Sequence, residues 1–303
     1  MNKNLLFYIL GIYLECIYTK EKIMIGRYVA TILNITLVLI LISIGNSSAL
    51  ADGHNNQRFD ANKPTVFITG SNRGIGLALV KNYAARGWNV IATCRSPSKA
   101  ENLMSLRKQY SRVFIEEMDV TDTTEIQYLA NKYKNYPIDI LINNAGILGN
   151  VENQSFGNLN PDLFETVMAV NALGPLKVAE AFADNVALSK QKKIVSMTSG
   201  LGSMQITLNS DRFYYYRMSK AALNMGVIAM NVSLKSRGVI SALIAPGMVE
   251  TQLLNDSGYR GPGTITTDES AAGLVRIIDQ ISNETIKKNR GKSVNYDGMV
   301  IPW

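Results

Sequence analysis

The sequence contains very little histidine and cysteine. Its 303 residues include one histidine, His54, and two cysteines. So few cysteines exclude a disulfide-stabilised scaffold and a cysteine-rich zinc site. A single histidine excludes metal sites built from histidine pairs and argues against Ser-His-Asp hydrolysis. We therefore expect no metal site, and any general acid has to be a tyrosine, a lysine or a carboxylic acid.

Long runs of basic residues are also absent, although the formal net charge is +7. The excess of lysine and arginine is spread thinly along the chain. A nucleic-acid-binding protein concentrates basic residues on one face together with base-reading or stacking residues, so we expect no nucleic-acid partner. The dispersed charge indicates a solvated basic surface, or a surface that attracts a small molecule rich in phosphate.

The first 60 residues differ in character from the rest of the chain. Leu5–Tyr18 is apolar but is interrupted by Glu15, whereas Tyr28–Gly45 runs for 18 residues without a charge. The second run has about the minimum length of a membrane-spanning helix. An A-L-A sequence that ends at Ala51 follows it and is typical of a signal-peptidase site. Residues 1–51 are therefore predicted to be either a cleaved signal or a retained membrane anchor.

This segment predicts membrane association or export, and it leaves open on which side of the membrane the rest of the chain lies. Met24 opens a short basic segment ahead of the second apolar run. Translation from Met1 and translation from Met24 therefore both remain open. Residues 52–63 are small and polar, and they are predicted to link the leader to a single domain over residues 64–303.

From Pro64 onward, short β-branched runs alternate with amphipathic stretches. Strands of a buried parallel sheet are continuous apolar runs of this kind. The alternation predicts an α/β fold, a Rossmann-type doubly wound parallel sheet with helices on both faces. The predicted strands are Thr65–Thr69, Asn89–Cys94, Val113–Glu117, Ile138–Asn143, Lys193–Met197 and Val239–Ile244, and the clearest helices are Gly76–Arg86 and Thr123–Lys134.

A glycine-rich loop follows the first predicted strand and opens the first helix. Gly70 permits a tight turn, Gly74 lets the backbone approach a diphosphate, and Gly76 lets the helix lie close to the sheet. The helix N-terminus then offers free N–H groups and the positive end of its dipole to phosphates. No Gly-Lys-Ser/Thr sequence ends the loop, which excludes a Walker loop. The loop predicts dinucleotide binding by Gly70, Ser71, Asn72, Arg73, Gly74, Ile75 and Gly76.

The end of the second predicted strand indicates which dinucleotide is bound. An acidic residue at this place would bind the ribose 2′-hydroxyl of NAD and repel a 2′-phosphate. Arg95 stands there instead, and Arg73 lies within the glycine loop. Because guanidinium groups suit a phosphate, we expect NADP(H) to be favoured over NAD(H).

Tyr216 and Lys220 form the best candidate pair for proton transfer. They lie four residues apart in a long predicted helix, and therefore on one helical face. The pKa of a free tyrosine is about 10, and a nearby ammonium group lowers it by stabilising the phenolate. Tyr214 and Tyr215 have no lysine four residues further on. Taken alone, the spacing favours the simpler interpretation, a tyrosine and a lysine on a helix surface.

Polar residues also follow two neighbouring predicted strands. Asn144 follows the fourth strand and Ser199 follows the fifth. Ligands of open α/β sheets bind outside the carboxyl ends of the strands. Asn171 falls inside a predicted helix, where asparagine is a poor helix former. A buried asparagine at such a position needs a hydrogen-bonding partner.

Together these motifs resemble the short-chain dehydrogenase/reductase family in its single-domain form. The resemblance covers Pro64–Trp303, with the motifs in family order. They are T-G-S-N-R-G-I-G, N-N-A-G, V-N-A-L-G, the serine after the fifth strand, Y-R-M-S-K and P-G-M-V-E-T. The segments S-M-T-S-G-L-G-S-M and N-Y-D-G-M-V-I-P-W are similar to those of the C-factor-like and sniffer-like carbonyl reductases.

The resemblance implies a role for each candidate. Tyr216 would give a proton to a substrate carbonyl oxygen, and Lys220 would lower the tyrosine pKa and bind the nicotinamide ribose. Ser199 would hold the carbonyl oxygen, and Asn171 would support a water-linked proton relay behind Lys220. The implied cofactor site adds Asp119 and Val120 near the adenine, Asn144, Ala145 and Gly146 along the cofactor, and Pro246, Gly247, Val249 and Thr251 around the nicotinamide.

The position of the catalytic serine departs from the family's usual spacing. The family's serine precedes the tyrosine by about a dozen residues. In this sequence Ser199 lies 17 residues before Tyr216, and Ser203 lies 13 residues before Tyr216. Counting favours Ser203, and the T-S-G-L-G-S pattern favours Ser199. Extra length in the following loop costs little, so Ser199 is the predicted catalytic serine.

The leading hypothesis for function is an NADPH-dependent reductase of ketones or aldehydes. The alternative is a dinucleotide-binding signalling or sensor protein with incidental turnover, which loss of the tyrosine or lysine would favour. Epimerases and dehydratases of sugar nucleotides usually have a different glycine loop and a larger C-terminal domain.

The loop after Gly149 and residues 206–213 and 248–267 are expected to form walls for an apolar or aromatic substrate. The resemblance is compatible with a homodimer or homotetramer.

Overall fold

The part of the chain that the computed structural model describes, residues 59–207 and 211–303, is built around a seven-stranded sheet. Two further short strands form a separate hairpin. The strands are β1 (Thr65–Ile68), β2 (Asn89–Cys94), β3 (Val113–Glu117), β4 (Ile140–Asn143), β5 (Gln154–Ser155), β6 (Asn158–Leu159), β7 (Lys193–Met197), β8 (Ile240–Ala245) and β9 (Val294–Asn295).

The strand order of the main sheet is β3-β2-β1-β4-β7-β8-β9, and every neighbouring pair is parallel. Val66 of β1 pairs with Val90 of β2 on one side and with Ile140 of β4 on the other. The predicted doubly wound, Rossmann-type sheet is therefore confirmed. The order reverses between β1 and β4, which is the point where such sheets bind their ligands.

Helices pack on both faces of this sheet. Side chains of a strand alternate between faces: Val66 and Ile68 join one apolar cluster, and Phe67 joins the opposite one. The helices are α1 (Gly74–Ala85), α2 (Glu101–Gln109), α3 (Thr123–Lys132), α4 (Pro161–Met168), α5 (Gly174–Leu188), α6 (Met204–Thr207), α7 (Tyr214–Ser233), α8 (Gln252–Asp256), α9 (Thr267–Gln280) and α10 (Asn283–Lys288).

The predicted leader, residues 1–51, lies outside the described residues, as does the first part of the predicted linker. Residues 59–63 lie against the sheet domain: the Phe59 and Tyr136 rings are 4.8 Å apart, and Nδ2 of Asn89 donates to the Asp60 carbonyl at 2.8 Å. Within residues 59–207 and 211–303, no helix combines the length and the apolar character that crossing a membrane requires.

Candidate active site

The glycine-rich loop packs directly on the residues that follow β4. Gly70 has a φ of +67°, and a Cβ there would lie 2.8 Å from Cα of Ala145. A Cβ at Gly76 would lie 2.2 Å from the carbonyl oxygen of Gly70. Nδ2 of Asn144 donates to the carbonyl oxygens of Thr69 and Gly70 at 2.9 and 3.0 Å. Glycine is therefore required at both positions for the loop to close on the sheet.

The N-terminus of α1 is open to a bound anion. Gly74 has a φ of +56° and begins the helix. Arg73 precedes it, and its guanidinium group cannot accept a hydrogen bond from the first turn. The first turn also contains no acidic residue. The N–H groups of this turn therefore remain available for phosphate oxygens.

Ser71 occupies a different place from its neighbours in the loop. It is fully buried, and its hydroxyl donates to the Ile68 carbonyl at 2.8 Å. Its backbone N–H donates to the Thr93 carbonyl at 2.9 Å. Ser71 therefore holds the loop on β1 and β2, whereas Asn72 and Arg73 lie along the cavity.

A cavity of about 1570 Å³ runs along the carboxyl ends of the strands. Small-molecule sites usually occupy roughly 300–1,000 Å³, so this cavity has room for a dinucleotide and a second small molecule. It brings most of the predicted residues together. They are Gly70, Asn72, Arg73, Gly74, Ile75, Gly76, Arg95, Asp119, Val120, Asn144, Ala145, Gly146, Ser199, Tyr216, Lys220, Pro246, Gly247, Val249 and Thr251.

Arg95 and Asp119 lie at one end of this cavity, after β2 and β3. Nη1 of Arg95 is 4.0 Å from Oδ2 of Asp119, and the arginine side chain is 71% exposed. The carboxylate also accepts hydrogen bonds from the backbone N–H and hydroxyl of Thr121 at 2.8 and 2.7 Å. An exposed ion pair of this kind adds little stability, so the guanidinium group can turn toward a bound anion at low cost.

Tyr216 and Lys220 lie on α7 and are both buried, with exposures of 7% and 4%. Nζ of Lys220 is 5.7 Å from the centre of the Tyr216 ring and donates to the Met197 carbonyl at 2.8 Å. Burial raises the pKa of Tyr216 to about 12, and the hydrogen bond with the Ser199 hydroxyl partly offsets that rise. Burial lowers the pKa of Lys220 to about 8. The pKa of Tyr216 is therefore raised overall, and the lowering expected from Lys220 is not among the causes of its shift.

The structure separates the two candidate serines. Ser199 lines the cavity, and its hydroxyl lowers the pKa of the Tyr216 hydroxyl, in part against the effect of burial. Its Oγ also accepts from the backbone N–H of Leu201 at 3.1 Å. Ser203 is buried, and its Oγ accepts from the backbone N–H of Ile206 at 3.2 Å, in the first turn of α6. The local sequence pattern therefore identifies the serine next to the tyrosine, whereas residue counting selects a helix cap.

Asn171 lies in a π-helical turn between α4 and α5 and is fully buried. Its Oδ1 accepts from the Ile147 N–H at 2.9 Å, and its Nδ2 donates to the Ile147 carbonyl at 2.8 Å and to the Ser219 hydroxyl at 3.0 Å. A Cβ at Gly146 would lie 3.3 Å from this Oδ1 and 3.6 Å from Nζ of Lys220. Asn171 thus joins the segment after β4 to α7. It lies behind Gly146, which is itself next to Lys220.

At the other end of the cavity, β8 leads into residues 246–251. Gly247 has a φ of +81°, and a Cβ there would lie 2.7 Å from Cε1 of Tyr296. The Ser270 hydroxyl donates to the Pro246 carbonyl at 2.8 Å, and Oγ1 of Thr251 accepts from the first turn of α8 at 3.3 Å. Tyr296 is a cavity residue that sequence reasoning missed, since β9 is only two residues long and has no visible pattern.

Gln154 is a second residue beside the site that the sequence does not reveal. It lies on the short hairpin strand β5 and is fully buried. Its Oε1 accepts from the backbone N–H of Tyr216 at 3.0 Å. A single glutamine in a polar loop carries no sequence signal for such a contact.

The family model for short chain dehydrogenases matches residues 64–259. The chain belongs to the short-chain dehydrogenase/reductase family. It is therefore an oxidoreductase, and its Rossmann-type sheet is the fold of that family. The matched region contains the glycine loop, Ser199, Tyr216 and Lys220, whereas Tyr296 and the other cavity residues after 259 lie beyond it.

Relatives of this dehydrogenase/reductase include the C-signal protein of Myxococcus xanthus, which is 34% identical over 168 residues, 55% of this chain and 93% of the relative. The NADPH-bound carbonyl reductase from chicken fatty liver is 28% identical, with a TM-score of 0.71 over 80% of this chain and 99% of its own. The carbonyl reductase Sniffer of D. melanogaster is 26% identical, with a TM-score of 0.70 over 80% of this chain and all of its own. The resemblance to C-factor-like and sniffer-like members is thus confirmed.

Proposed function

We propose that this protein is an NADPH-dependent carbonyl reductase, which reduces a ketone or an aldehyde to an alcohol. The observation that carries the proposal is the meeting of three groups in one cavity, the hydroxyls of Tyr216 and Ser199 and the amine of Lys220. The same cavity contains the open N-terminus of α1. The first three groups suit a carbonyl oxygen, and the helix N-terminus suits a diphosphate.

The residues present fit NADP(H). The glycine loop and the first turn of α1 would hold the diphosphate, and Arg73 and Arg95 would bind the 2′-phosphate. Asp119 and Val120 would lie beside the adenine, and Lys220 would bind the nicotinamide ribose. NADP(H) supplies the hydride when it is bound. The NADPH-bound carbonyl reductase from chicken supports this choice, because its fold matches with a TM-score of 0.71.

Tyr216 is the proposed proton donor. With a pKa of about 12 its hydroxyl keeps its proton at neutral pH, which is the state that carbonyl reduction requires. The Ser199 hydroxyl would hold the carbonyl oxygen beside it and donate a hydrogen bond to the negative charge that develops on that oxygen. The proton then passes from the Tyr216 hydroxyl to the substrate oxygen.

Lys220 and Asn171 are proposed to return a proton to Tyr216. The pKa of Lys220, about 8, lies close to neutral pH, so the amine can exchange a proton under working conditions. Its Nζ is held by the Met197 carbonyl. Asn171 fixes the adjacent segment through both backbone groups of Ile147, and a water-linked path behind Lys220 is the role proposed for this arrangement.

The substrate is proposed to be an apolar or aromatic carbonyl compound. Apolar side chains from several segments line the cavity, including Leu148, Leu201, Ile206, Phe213 and Met248. Such walls favour an uncharged body, since burial of apolar surface drives its binding. Polar groups at the Ser199–Tyr216 end would then fix the carbonyl.

Consumption of NADPH by the full chain, with a panel of aliphatic and aromatic ketones and aldehydes, tests the proposal. Tyr216→Phe should lower kcat by about 10²–10⁴-fold, the usual contribution of a general acid, and should leave NADPH binding intact. Tyr214→Phe is the matched control and should retain activity. NADPH binding without turnover on any carbonyl would favour the sensor alternative, and retention of most of kcat by Tyr216→Phe would refute the assignment of the acid.

We also propose that residues 1–51 direct the protein to a membrane or to export. The uncharged run Tyr28–Gly45 supports this proposal.

A further inference from the structure

The helix that carries Tyr216 begins without a cap from the residue before it. Phe213 precedes α7 with a φ of +64°, and its phenyl ring cannot accept a hydrogen bond. The first N–H groups of a helix have no acceptor within the helix. The helical ladder begins with Arg217, whose N–H donates to the Phe213 carbonyl at 2.9 Å. The N–H of Tyr216, one residue earlier, therefore needs an acceptor from another part of the chain.

Gln154 supplies this acceptor from 62 residues away in the sequence. Its Oε1 accepts from the Tyr216 N–H at 3.0 Å. Its Nε2 donates to the carbonyl oxygens of Leu148 and Asn150 at 2.9 and 3.2 Å. The side chain is fully buried, so its oxygen and nitrogen are both held by backbone groups in a region of low dielectric, where hydrogen bonds are strong.

This one amide group connects two walls of the cavity. Leu148 belongs to the segment after β4, and Tyr216 belongs to α7; both line the cavity. A separate aromatic contact holds α7 against α4, since the Phe164 and Tyr215 rings are 5.3 Å apart. The position of the Tyr216 backbone relative to the segment after β4 is therefore set by Gln154, and with it the place of the hydroxyl beside Ser199.

We infer that Gln154 is a positioning residue for proton transfer, because it caps the catalytic helix on the backbone N–H of the catalytic tyrosine itself. Its polar atoms face backbone groups rather than the reacting atoms, so it acts through Tyr216. A displacement of about 1 Å at a reacting group can cost about 10²-fold in rate. The kinetic consequence rests on the proposed function, whereas the cap itself does not.

Hydrogen–deuterium exchange on the full chain tests the cap without any substrate. Gln154→Met keeps a similar volume and removes both hydrogen-bonding atoms. We expect the amides of residues 214–217 to exchange at least about tenfold faster in this variant, because the Tyr216 N–H loses its acceptor. Unchanged exchange at these residues would overturn the inference.

Asn185→Leu is the matched control. Asn185 is also a buried amide that donates to two carbonyls, those of Tyr133 and Tyr136 at 2.7 and 2.9 Å. Its loss should lower the melting temperature to a similar degree but should leave exchange at residues 214–217 unchanged. Equal acceleration at these residues in both variants would show only a general loss of stability and would refute a specific cap.

Kinetics supply the second readout. Gln154→Met should lower kcat by about 10- to 100-fold and change KM for NADPH by less than about twofold, because the glycine loop is untouched. Asn185→Leu should keep kcat. A rise in KM for NADPH with normal kcat in Gln154→Met would overturn the positioning role. If the wild type reduces no carbonyl, the proposed function fails, and the exchange experiment still decides the cap.

Gln154→Glu adds a conservative rescue and replaces the methionine variant if that one does not fold. A protonated glutamic acid accepts from the Tyr216 N–H and donates to the Leu148 carbonyl, as glutamine does. The ionised form places a negative charge against two carbonyl oxygens. Activity of this variant should therefore be recovered at acidic pH and lost as pH rises through the raised pKa of a buried carboxyl group. A profile parallel to that of the wild type would contradict the inference.

Discussion

The hydroxyl of Thr198 donates a 2.6 Å hydrogen bond to Oδ1 of Asn224, four residues beyond Lys220 on the same helix. Tyr216, Lys220 and Asn224 follow one another at intervals of four, so they share one face of α7. Thr198 immediately precedes Ser199. The helix that carries Tyr216, the proposed proton donor, therefore also holds the segment after β7 that contains Ser199.

Thr198→Val should lower kcat about tenfold with little change in KM for NADPH. The valine has nearly the same volume but leaves the buried Asn224 Oδ1 without its donor, at a cost of about 1–3 kcal/mol, and Ser199 shifts. Steady-state kinetics and thermal unfolding measure the two effects. Ser189→Ala removes another buried hydroxyl, one bonded to the Val186 carbonyl, and should lower stability with kcat intact. Normal kcat in Thr198→Val would show that the hydrogen bond between Thr198 and Asn224 does not position Ser199.

Ser199→Ala and Ser203→Ala should have opposite consequences. Loss of the Ser199 hydroxyl removes a donor to the developing oxyanion and should lower kcat about 100-fold or more. Loss of the Ser203 hydroxyl removes a helix cap, which costs about 0.5–2 kcal/mol of stability and should leave kcat close to the wild type. Parallel measurements of kcat and unfolding free energy separate the effects, and the reverse order would restore Ser203 as the catalytic residue.

Reduction should slow as pH rises through about 8, the pKa of Lys220. Above that value the amine loses its charge, whereas Tyr216, with a pKa of about 12, still keeps its proton. Loss of activity thus follows deprotonation of the lysine and not of the tyrosine. A profile of kcat over about pH 6 to 10 should show this decline. The variant Lys220→Met should have low activity throughout this range, and its profile should show no decline near pH 8. A wild-type profile that rises toward alkaline pH would contradict this assignment.

Arg95→Asp should shift the cofactor preference toward NADH. The substitution replaces an attraction for the 2′-phosphate by repulsion, next to the carboxylate of Asp119, and should lower the ratio of kcat/KM for NADPH to that for NADH at least about tenfold. Lys99→Asp makes the same change of charge at an exposed position of the same segment and should leave the ratio unchanged. An equal ratio in wild type and Arg95→Asp would exclude contact between Arg95 and the phosphate.

Full-length protein should fractionate with membranes or appear outside the cytoplasm. The apolar run Tyr28–Gly45 and the basic residues ahead of it carry this expectation. N-terminal sequencing then distinguishes cleavage after Ala51 from a retained anchor. Deletion of residues 1–51 should release an active reductase, because the glycine loop and the Tyr216–Lys220 pair lie beyond Pro64. Full-length protein in the soluble cytoplasmic fraction with an intact N-terminus would contradict targeting.

Much of the fold was predictable because buried parallel strands leave a local signature. The bounds of Asn89–Cys94, Val113–Glu117 and Lys193–Met197 agree with the predicted strands. The glycine loop was equally readable, since the requirement at Gly70 and Gly76 is a steric one that no other residue satisfies. These features depend on a few consecutive residues and on known backbone geometry.

The rest of the site depends on contacts between distant segments. Gln154 meets Tyr216 across 62 residues, and neither position shows this in its own neighbourhood. The raised pKa of Tyr216 could not be predicted for the same reason, since its main cause is burial, which comes from the whole fold. Ser71 lies in a recognisable motif, yet only the structure shows that its side chain binds the Ile68 carbonyl.

One face of α7 carries Tyr216, Lys220 and Asn224, and the helix fixes the distances between them. Four residues of an α-helix advance about 6 Å and return to nearly the same side. The helical repeat alone therefore sets the spacing of Tyr216, the proposed proton donor, of Lys220 and of Asn224, which holds Thr198. One residue inserted within this stretch would turn everything after it by about 100°. The loops around the cavity can therefore vary in length, whereas the number of residues between Tyr216 and Asn224 has to stay fixed for their side chains to share one face of α7.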